Sequence, residues 1–226
     1  MSGPEAVPAD LTAGAIRRGL RTHDLGRALH VHGVVGSTND VALDLLDGGA
    51  DHGTLVVADR QRAGRGQRGR TWESPAGLGL YASLVIRGRR ALGHTTLAVA
   101  AVGLGLAEGI EHACGAHVGI KWPNDVWCRD RKLAGVLVEA RGFRPDAPAF
   151  VAGFGVNVGH APADLPPTLR DTATSLRIET GEAPSRVGLL CAVLEAVEGR
   201  IDQALRGGTP DLEDAYRERS LLRGLE

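Results

Sequence analysis

The segment from Arg60 to Trp72 concentrates groups that could do chemistry, setting Arg60, Arg62, Arg65, Arg68 and Arg70 among Gly64, Gly66 and Gly69. Glycines let backbone N–H groups approach a ligand closely, and guanidinium groups add charge-assisted donors, a combination suited to a carboxylate or a phosphate. Trp72 at the end of the segment offers a flat apolar face for a base or ring. The three glycines also fit the dinucleotide fingerprint G-x-G-x-x-G. That fingerprint must open a helix, yet Pro75 and Gly77 follow, and Arg87, Arg89 and Arg90 stand where an acidic ribose ligand belongs. The Gly-Lys-Ser/Thr ending of a phosphate-binding P-loop is also missing. On these residues alone, a solvated basic loop or a weak RNA contact remains an alternative to an anion site.

The second concentration is one of rarity. Of 26 Lys and Arg residues only Lys121 and Lys132 are lysine, and asparagine occurs only at Asn39, Asn124 and Asn157. Positions that keep an otherwise avoided residue type rank first as candidates for its chemistry. Lys121 ends an apolar strand and precedes a rigid Pro turn with Asn124 and Asp125; a compact ammonium there suits one phosphate or carboxylate oxygen. Lys132 opens a strand in which Gly135 implies close backbone approach, and GFGVN at 153–157 forms a second glycine-rich strand. For Asn124 and Asn157 the plainer reading is a turn residue that bonds its own backbone. His30 and His32 share a strand face without a ligating partner at metal spacing, so no direct metal cluster is expected. Neither a GxSxG elbow nor an HExxH pattern occurs, and covalent catalysis is not indicated.

These groups need a scaffold, and 226 residues with 43% apolar content can build one large domain. A formal charge of −1, from 26 basic and 27 acidic residues, provides no global field for nucleic acid or membrane, so anion chemistry must be local. Cys114, Cys128 and Cys191 fit neither a disulfide framework nor a zinc pattern, which suggests a reducing cytoplasm. The first ten residues read as disordered, and no signal peptide or membrane span is expected. The longest apolar region, 95–110, is broken by Glu108 and three glycines. A short helix opens with Asp10 as N-cap, and Ser37, Thr38, Asn39 and Asp40 form a dense N-cap signal after an extended run at 30–35. Strands are expected at 54–59, 81–87, 117–122, 133–141 and 150–158, the last three in hairpins, with loops at 146–148 and 162–167. Helices are expected at 94–114, 185–206 and 211–223, the last two capped by Ser185 and Asp211. Strand-rich central sequence flanked by helices favours an α+β fold with a mixed sheet.

Taken in order, STN at 37–39, QRAGRGQRGRTW at 61–72, KWPND at 121–125, KLAG at 132–135 and GFGVN at 153–157 resemble the biotin protein ligases. The resemblance spans roughly 30–160 and implies a central mixed sheet flanked by helices, related to class II aminoacyl-tRNA synthetases and lipoate ligases. It implies that Ser37, Thr38, Asn39 and Gln61 bond the ureido head of biotin, with Gly64, Gly135 and Gly153 lining its site. Arg65, Gly66 and Gln67 would meet the carboxylate end and phosphate, with Lys121 bridging carboxylate and α-phosphate, so that Lys121 and Arg65 are the catalytic pair. Trp72 would cover adenine, with Arg68, Asn124, Lys132 and Asn157 also on the ATP side. Many members carry a second Arg at the position of Gln67, which puts a side-chain cation there in doubt; Arg68 is a substitute.

The activity implied is a C–N bond-forming ligase that makes biotinyl-5′-AMP from biotin and ATP with Mg²⁺, then biotinylates a lysine of a carrier such as the biotin carboxyl carrier domain of acetyl-CoA carboxylase. Rival readings are a lipoate or other acyl ligase on the same fold, and a catalytically idle biotin-binding or RNA-contacting module. The expected domain plan is an N-terminal segment at 1–27 and a catalytic domain at 28–226. Only 36 residues precede Ser37, too few for the winged helix of repressor members, so no DNA binding is expected. The chain stops near where the family's small C-terminal β domain should begin, and that domain is expected to be absent. Nucleic acid and membrane are not expected as partners, the location is expected to be cytoplasmic, and a homodimer is left open.

Overall fold

A computed structural model describes residues 8–87, 95–141, 148–206 and 209–221. Seven strands form one mixed sheet in the order β1-β2-β3-β7-β6-β5-β4. They are β1 (Leu29–Val35), β2 (Leu55–Gln61), β3 (Gly79–Arg87), β4 (Gly119–Lys121), β5 (Asp125–Cys128), β6 (Arg131–Glu139) and β7 (Ala149–Asn157). Only β1 and β2 pair in parallel; every other neighbouring pair is antiparallel. The helices are α1 (Ala13–Gly19), α2 (Thr38–Asp47), α3 (Thr95–Cys114), α4 (Leu176–Thr180), α5 (Arg186–Leu205) and α6 (Thr209–Arg219). The mixed sheet with flanking helices is the expected fold class. The strand read over 117–122 shrinks to three residues, because the Pro123 turn ends it and reverses the chain into β5, which the sequence reading had not separated.

The two sheet faces differ. One carries the main core, where Leu80, Ala82, Leu84, Ala134, Val136, Ala152, Phe154 and Val156 pack against α3 and α5. Alternation along each strand sends the intervening residues to the other face. There α2 covers only one end, over Val56, Val85 and Val151, through Ala42, Leu43 and Leu46. The rest of that face is open to build a site. By length and composition, Thr96–Cys114 could cross a membrane. Here it is the central core helix, with Ala98, Ala101, Val102, Leu104, Ala107 and Ile110 buried. Gly105 and Gly109 let α5 approach: a Cβ on either would overlap the backbone of Val197 or Val193.

Helix starts show where local signals yield to stronger partners. Thr12, rather than Asp10, caps α1, its hydroxyl accepting from Ala15 N at 3.2 Å. Asp10 instead pairs with the buried Arg186 guanidinium at 2.7 Å, since a full charge partner outweighs one cap hydrogen bond. Ser185 caps α5 as expected. Asp211 falls inside the first turn of α6, which begins at Thr209. The loop over 162–167 contains one short 3-10 turn, Pro162–Asp164, and a second, Pro167–Leu169, starts at its end; residues 146 and 147 of the other expected loop, the first seven residues of the disordered reading, and His94 of the expected helix lie outside the described residues.

Arg186 also donates to Asp59 Oδ1 at 2.6 Å and to the Gly79 carbonyl, tying α5 to β2 and β3 just before the basic loop begins. Removing one partner strands a buried charge. Arg186→Met is therefore expected to lower stability by about 3 kcal/mol, read as a lower urea midpoint at constant slope. A midpoint equal to that of the parent would show that this clamp contributes nothing.

Candidate functional site

The uncovered sheet face holds an open cleft of about 460 Å³ lined by Ser37, Thr38, Asn39, Gln61, Arg65, Gly66, Gln67, Trp72, Asn124, Lys132, Gly135, Val136, Leu137, Gly153, Phe154 and Gly155. Twelve of the positions expected to bind biotin or adenylate thus converge from α2, β2, the basic loop, the β4–β5 turn, β6 and β7. Their convergence is a product of register. Ser83, Gly153 and Leu137 lie in one cross-strand row, and Tyr81, Gly155, Gly135, Asp125 and Lys121 lie in the next.

The polar end is built on Asn39, which is buried together with Ser37 and Thr38. Ser37 stands at the N-cap position of α2, yet its side chain makes no cap bond. Asn39 Nδ2 donates to Glu139 Oε2 at 2.6 Å and to the Leu137 carbonyl at 3.3 Å. Ser83 Oγ lies 2.6 Å from Asn39 Oδ1 and 2.8 Å from Thr38 Oγ1. A hydroxyl has one proton, and Oδ1 can only accept, so Ser83 donates to Asn39. Thr38 then donates to Ser83 or to Gln61 Oε1, 3.0 Å away. Gln61 Oε1 also accepts from Thr38 N at 2.8 Å, and its Nε2 donates to Ser74 Oγ at 2.9 Å. Both amide orientations are fixed by partners that can only donate or only accept. With these bonds made, Asn39 offers a ligand one acceptor lone pair and Gln61 offers one N–H.

Glycine makes this floor possible. A Cβ at Gly153 would overlap Asn39 Oδ1, and one at Gly155 would sit 2.5 Å from Trp72 Nε1. The indole therefore lies directly on β7, with its buried N–H unpartnered among the described residues. Lys132 Nζ sits 5.3 Å from the Trp72 ring centroid and pairs with Asp125 at 2.7 Å, beside Gly135.

The basic loop is a small hairpin. Gly66 N bonds Arg70 O, Trp72 N bonds Gly64 O, and Arg65 bridges to Thr71. Its tip residues Arg68 and Gly69 have φ values of 58° and 74°, the sign pattern of a type I′ turn. No helix follows, which disposes of the dinucleotide reading. Arg65 reaches back into the cleft and grips Asp40 with two bonds, at 2.7 and 2.8 Å, and Glu139 at 3.0 Å. Asp40 and Glu139 hold this guanidinium firmly protonated. Arg65 in turn holds the Asp40 carboxyl below its ordinary 3.8. A depressed carboxylate contributes stability above its unfolded pKa and loses it as pH falls through the folded value, so this tie is fully present at neutral pH.

Four expected positions lie outside the cleft lining. Gly64 packs at the base of the hairpin, where a Cβ would overlap the Trp72 carbonyl. Arg68 is exposed at the tip. Asn157 is buried and bonds the Thr174 carbonyl at 2.9 Å, a structural tie. Lys121 is exposed, with Nζ 3.9 Å from the Trp127 ring centroid. It nevertheless stands in the same row as Gly135, two strands away, or about 10 Å. Asn124 lines the cleft while Nδ2 bonds Val136 O at 2.8 Å, and Tyr216 of α6 supports its turn through the Pro123 carbonyl. Sequence reasoning missed Asp40, Ser83, Asp125, Glu139 and Gly155; of these only Asp40 and Asp125, adjoining STN and closing KWPND, and Gly155, within GFGVN, carried any local signal.

A model of the biotin/lipoate A/B protein ligase family matches residues 31–157. The bifunctional ligase/repressor BirA of Bacillus subtilis is 38% identical over 204 residues, covering 90% of this chain and 63% of the relative. The biotin–acetyl-CoA-carboxylase ligase of Mycobacterium tuberculosis is 36% identical over 217 residues, 92% of this chain and 78% of that one. Among solved structures, the biotin protein ligase of Aquifex aeolicus in complex with biotin and ATP superposes with a TM-score of 0.78 at 28% identity, covering 88% of this chain and 80% of that chain. The fold is thus that of the biotin protein ligase structures. The chain belongs to the biotin/lipoate A/B protein ligase family, and it spans 63% of the length of the Bacillus relative.

If Gly155 is bare because Trp72 must lie on it, Gly155→Ala displaces the indole. Tryptophan emission is expected to shift to the red with increased acrylamide quenching, while far-ultraviolet circular dichroism stays at the parent value. Unchanged emission would mean that Trp72 does not rest on β7.

Proposed function

We propose that this chain is an ATP-dependent biotin protein ligase. The observation that carries the reading is the residual hydrogen-bonding capacity of the buried end: one acceptor on Asn39 and one N–H on Gln61. A ureido group carries both N–H and C=O and complements that pair, whereas the dithiolane of lipoate carries neither and would leave the buried Asn39 acceptor and the half-buried Gln61 N–H without a partner. From this end the floor of the cleft continues along Gly153 and Gly155 to Trp72 and Lys132, with Arg65 beside the head-group end through Glu139.

In the first step, a biotin carboxylate oxygen attacks the α-phosphorus of ATP. The acyl–phosphate bond forms, the α–β bridge breaks, and pyrophosphate leaves. Two anions must meet, and preorganised cations reduce their repulsion. Lys132 stands beside Trp72, Arg65 lines the cleft from the loop, and Lys121 would reach the cleft by leaving the face of Trp127 along its row of the sheet. Mg²⁺ belongs with the ATP substrate; among the described residues no three ligating side chains converge to hold it. Trp72 forms the adenine wall, and the 64–72 hairpin shields the mixed anhydride from water. In the second step, a lysine amine of a carrier domain, such as that of acetyl-CoA carboxylase, attacks the acyl carbon and AMP departs. Localisation with such a carrier would be cytoplasmic. We assign Ser37, Thr38, Asn39 and Gln61 to the head group, Arg65, Gly66 and Gln67 to the carboxylate and phosphate, and Asn124, Lys132 and Trp72 to the adenylate.

The test is incubation with ATP, Mg²⁺ and either biotin or lipoate. Pyrophosphate release with biotin is expected; release with lipoate alone selects the other branch of the family, and none with either leaves an idle binding module. Lys121→Ala is expected to slow biotinyl-5′-AMP formation by about 10²–10³ while thermal unfolding stays at the parent midpoint. Adenylate formation at the parent rate would remove Lys121 from the mechanism.

A further inference from the structure

Glu139, the last residue of β6, lies outside every motif that suggested the family, yet it touches two motif residues at once. Its Oε2 accepts from Asn39 Nδ2 at 2.6 Å and from Arg65 Nη2 at 3.0 Å. We infer that Glu139 is a positioning residue for biotin recognition: it decides which atom Asn39 turns to the ureido head and ties that choice to the seat of Arg65 at the cleft mouth. The inference rests on the ligase reading above.

An asparagine amide has nearly the same shape when turned over, so its orientation is set by its partners. Ser83 tolerates either orientation, because its hydroxyl can donate to Oδ1 or accept from Nδ2. The Leu137 carbonyl selects one orientation, though at a long 3.3 Å. Glu139 selects strongly, since in the flipped amide Oδ1 would face a carboxylate oxygen across the distance now bridged by a short hydrogen bond. Held this way, Asn39 spends both Nδ2 protons on β6 and keeps an Oδ1 lone pair for a ligand N–H. Flipped, it would turn an N–H toward that ligand N–H. Arg65 Nη2 donates to the same Oε2 at 3.0 Å, so one carboxylate oxygen joins the amide to the guanidinium. Thus a single side chain at the rim serves both the head-group end and the loop arginine.

The experiment compares the parent chain with Glu139→Gln and Glu139→Leu by calorimetric titration with biotin, scanning calorimetry and pyrophosphate release. Glutamine keeps an acceptor oxygen for Asn39; leucine removes it at similar volume. Glu139→Leu is expected to weaken biotin binding by about tenfold or more and to raise KM for biotin. Glu139→Gln is expected to restore biotin affinity to within about threefold, and both variants should unfold near the parent temperature. Equal affinity in all three proteins would overturn the inference, as would an equal loss in both variants accompanied by a shared fall in unfolding temperature. Absence of biotin binding by the parent would overturn the ligase reading itself, a result separable from either of these.

Discussion

Asn39 is buried at the start of α2, and among the described residues its amide finds hydrogen-bond partners on β3 and β6, in Ser83, Leu137 and Glu139. A buried amide without partners costs more than most single contacts gain, so those strands must stand where they do. The third side of the amide is the bare backbone of Gly153, since any side chain on β7 at that point would occupy the same space. From Asn39 the bonding passes through Ser83 to Thr38, Gln61 and Ser74, which fixes both ends of the basic loop relative to the floor. The network couples four segments far apart in sequence, and in a low-dielectric setting each bond polarises the next.

Under the proposed function, this arrangement would let a chain of formal charge −1 handle anions. Three carboxylates, Asp40, Asp125 and Glu139, are spent on holding Arg65 and Lys132 at defined places. The cations are thereby oriented at the cost of part of their field, and ligand charge must compete with these carboxylates. A site of this kind depends on placement more than on net potential, in keeping with chemistry that requires two negative groups to meet in one geometry.

Much of the scaffold was legible in the sequence because its causes are local. Apolar runs at 55–58, 81–86 and 150–156 and the long small-residue helix at 95–114 read directly as core elements. The rarity of Lys and Asn ranked positions well, since Asn39, Asn124 and Lys132 all line the cleft, while Asn157 proved to be a tie to Thr174. The dense N-cap signal at 37–40 marked the start of α2, but three of its side chains are engaged elsewhere. Thr38 bonds Gln61, Asn39 bonds Glu139 and Asp40 bonds Arg65. A local signal diverted from its local use is where function was written into the fold.

Residue chemistry, strand and helix periods and turn preferences are properties of neighbours along the chain, and the sequence by itself determined the fold class, the cationic, glycine-rich character of the 60–72 segment and the set of motif residues. Only the tertiary structure decided that Ser83 and Glu139 bond the cleft residue Asn39, that Gly155 is bare where Trp72 lies on it, and that Lys121 rests on Trp127 two strands from Gly135. The physical reason is register. Which residues stand opposite one another across β3, β7, β6, β5 and β4 depends on pairing between segments up to tens of residues apart, and a shift of one residue would send every one of these side chains to the other face.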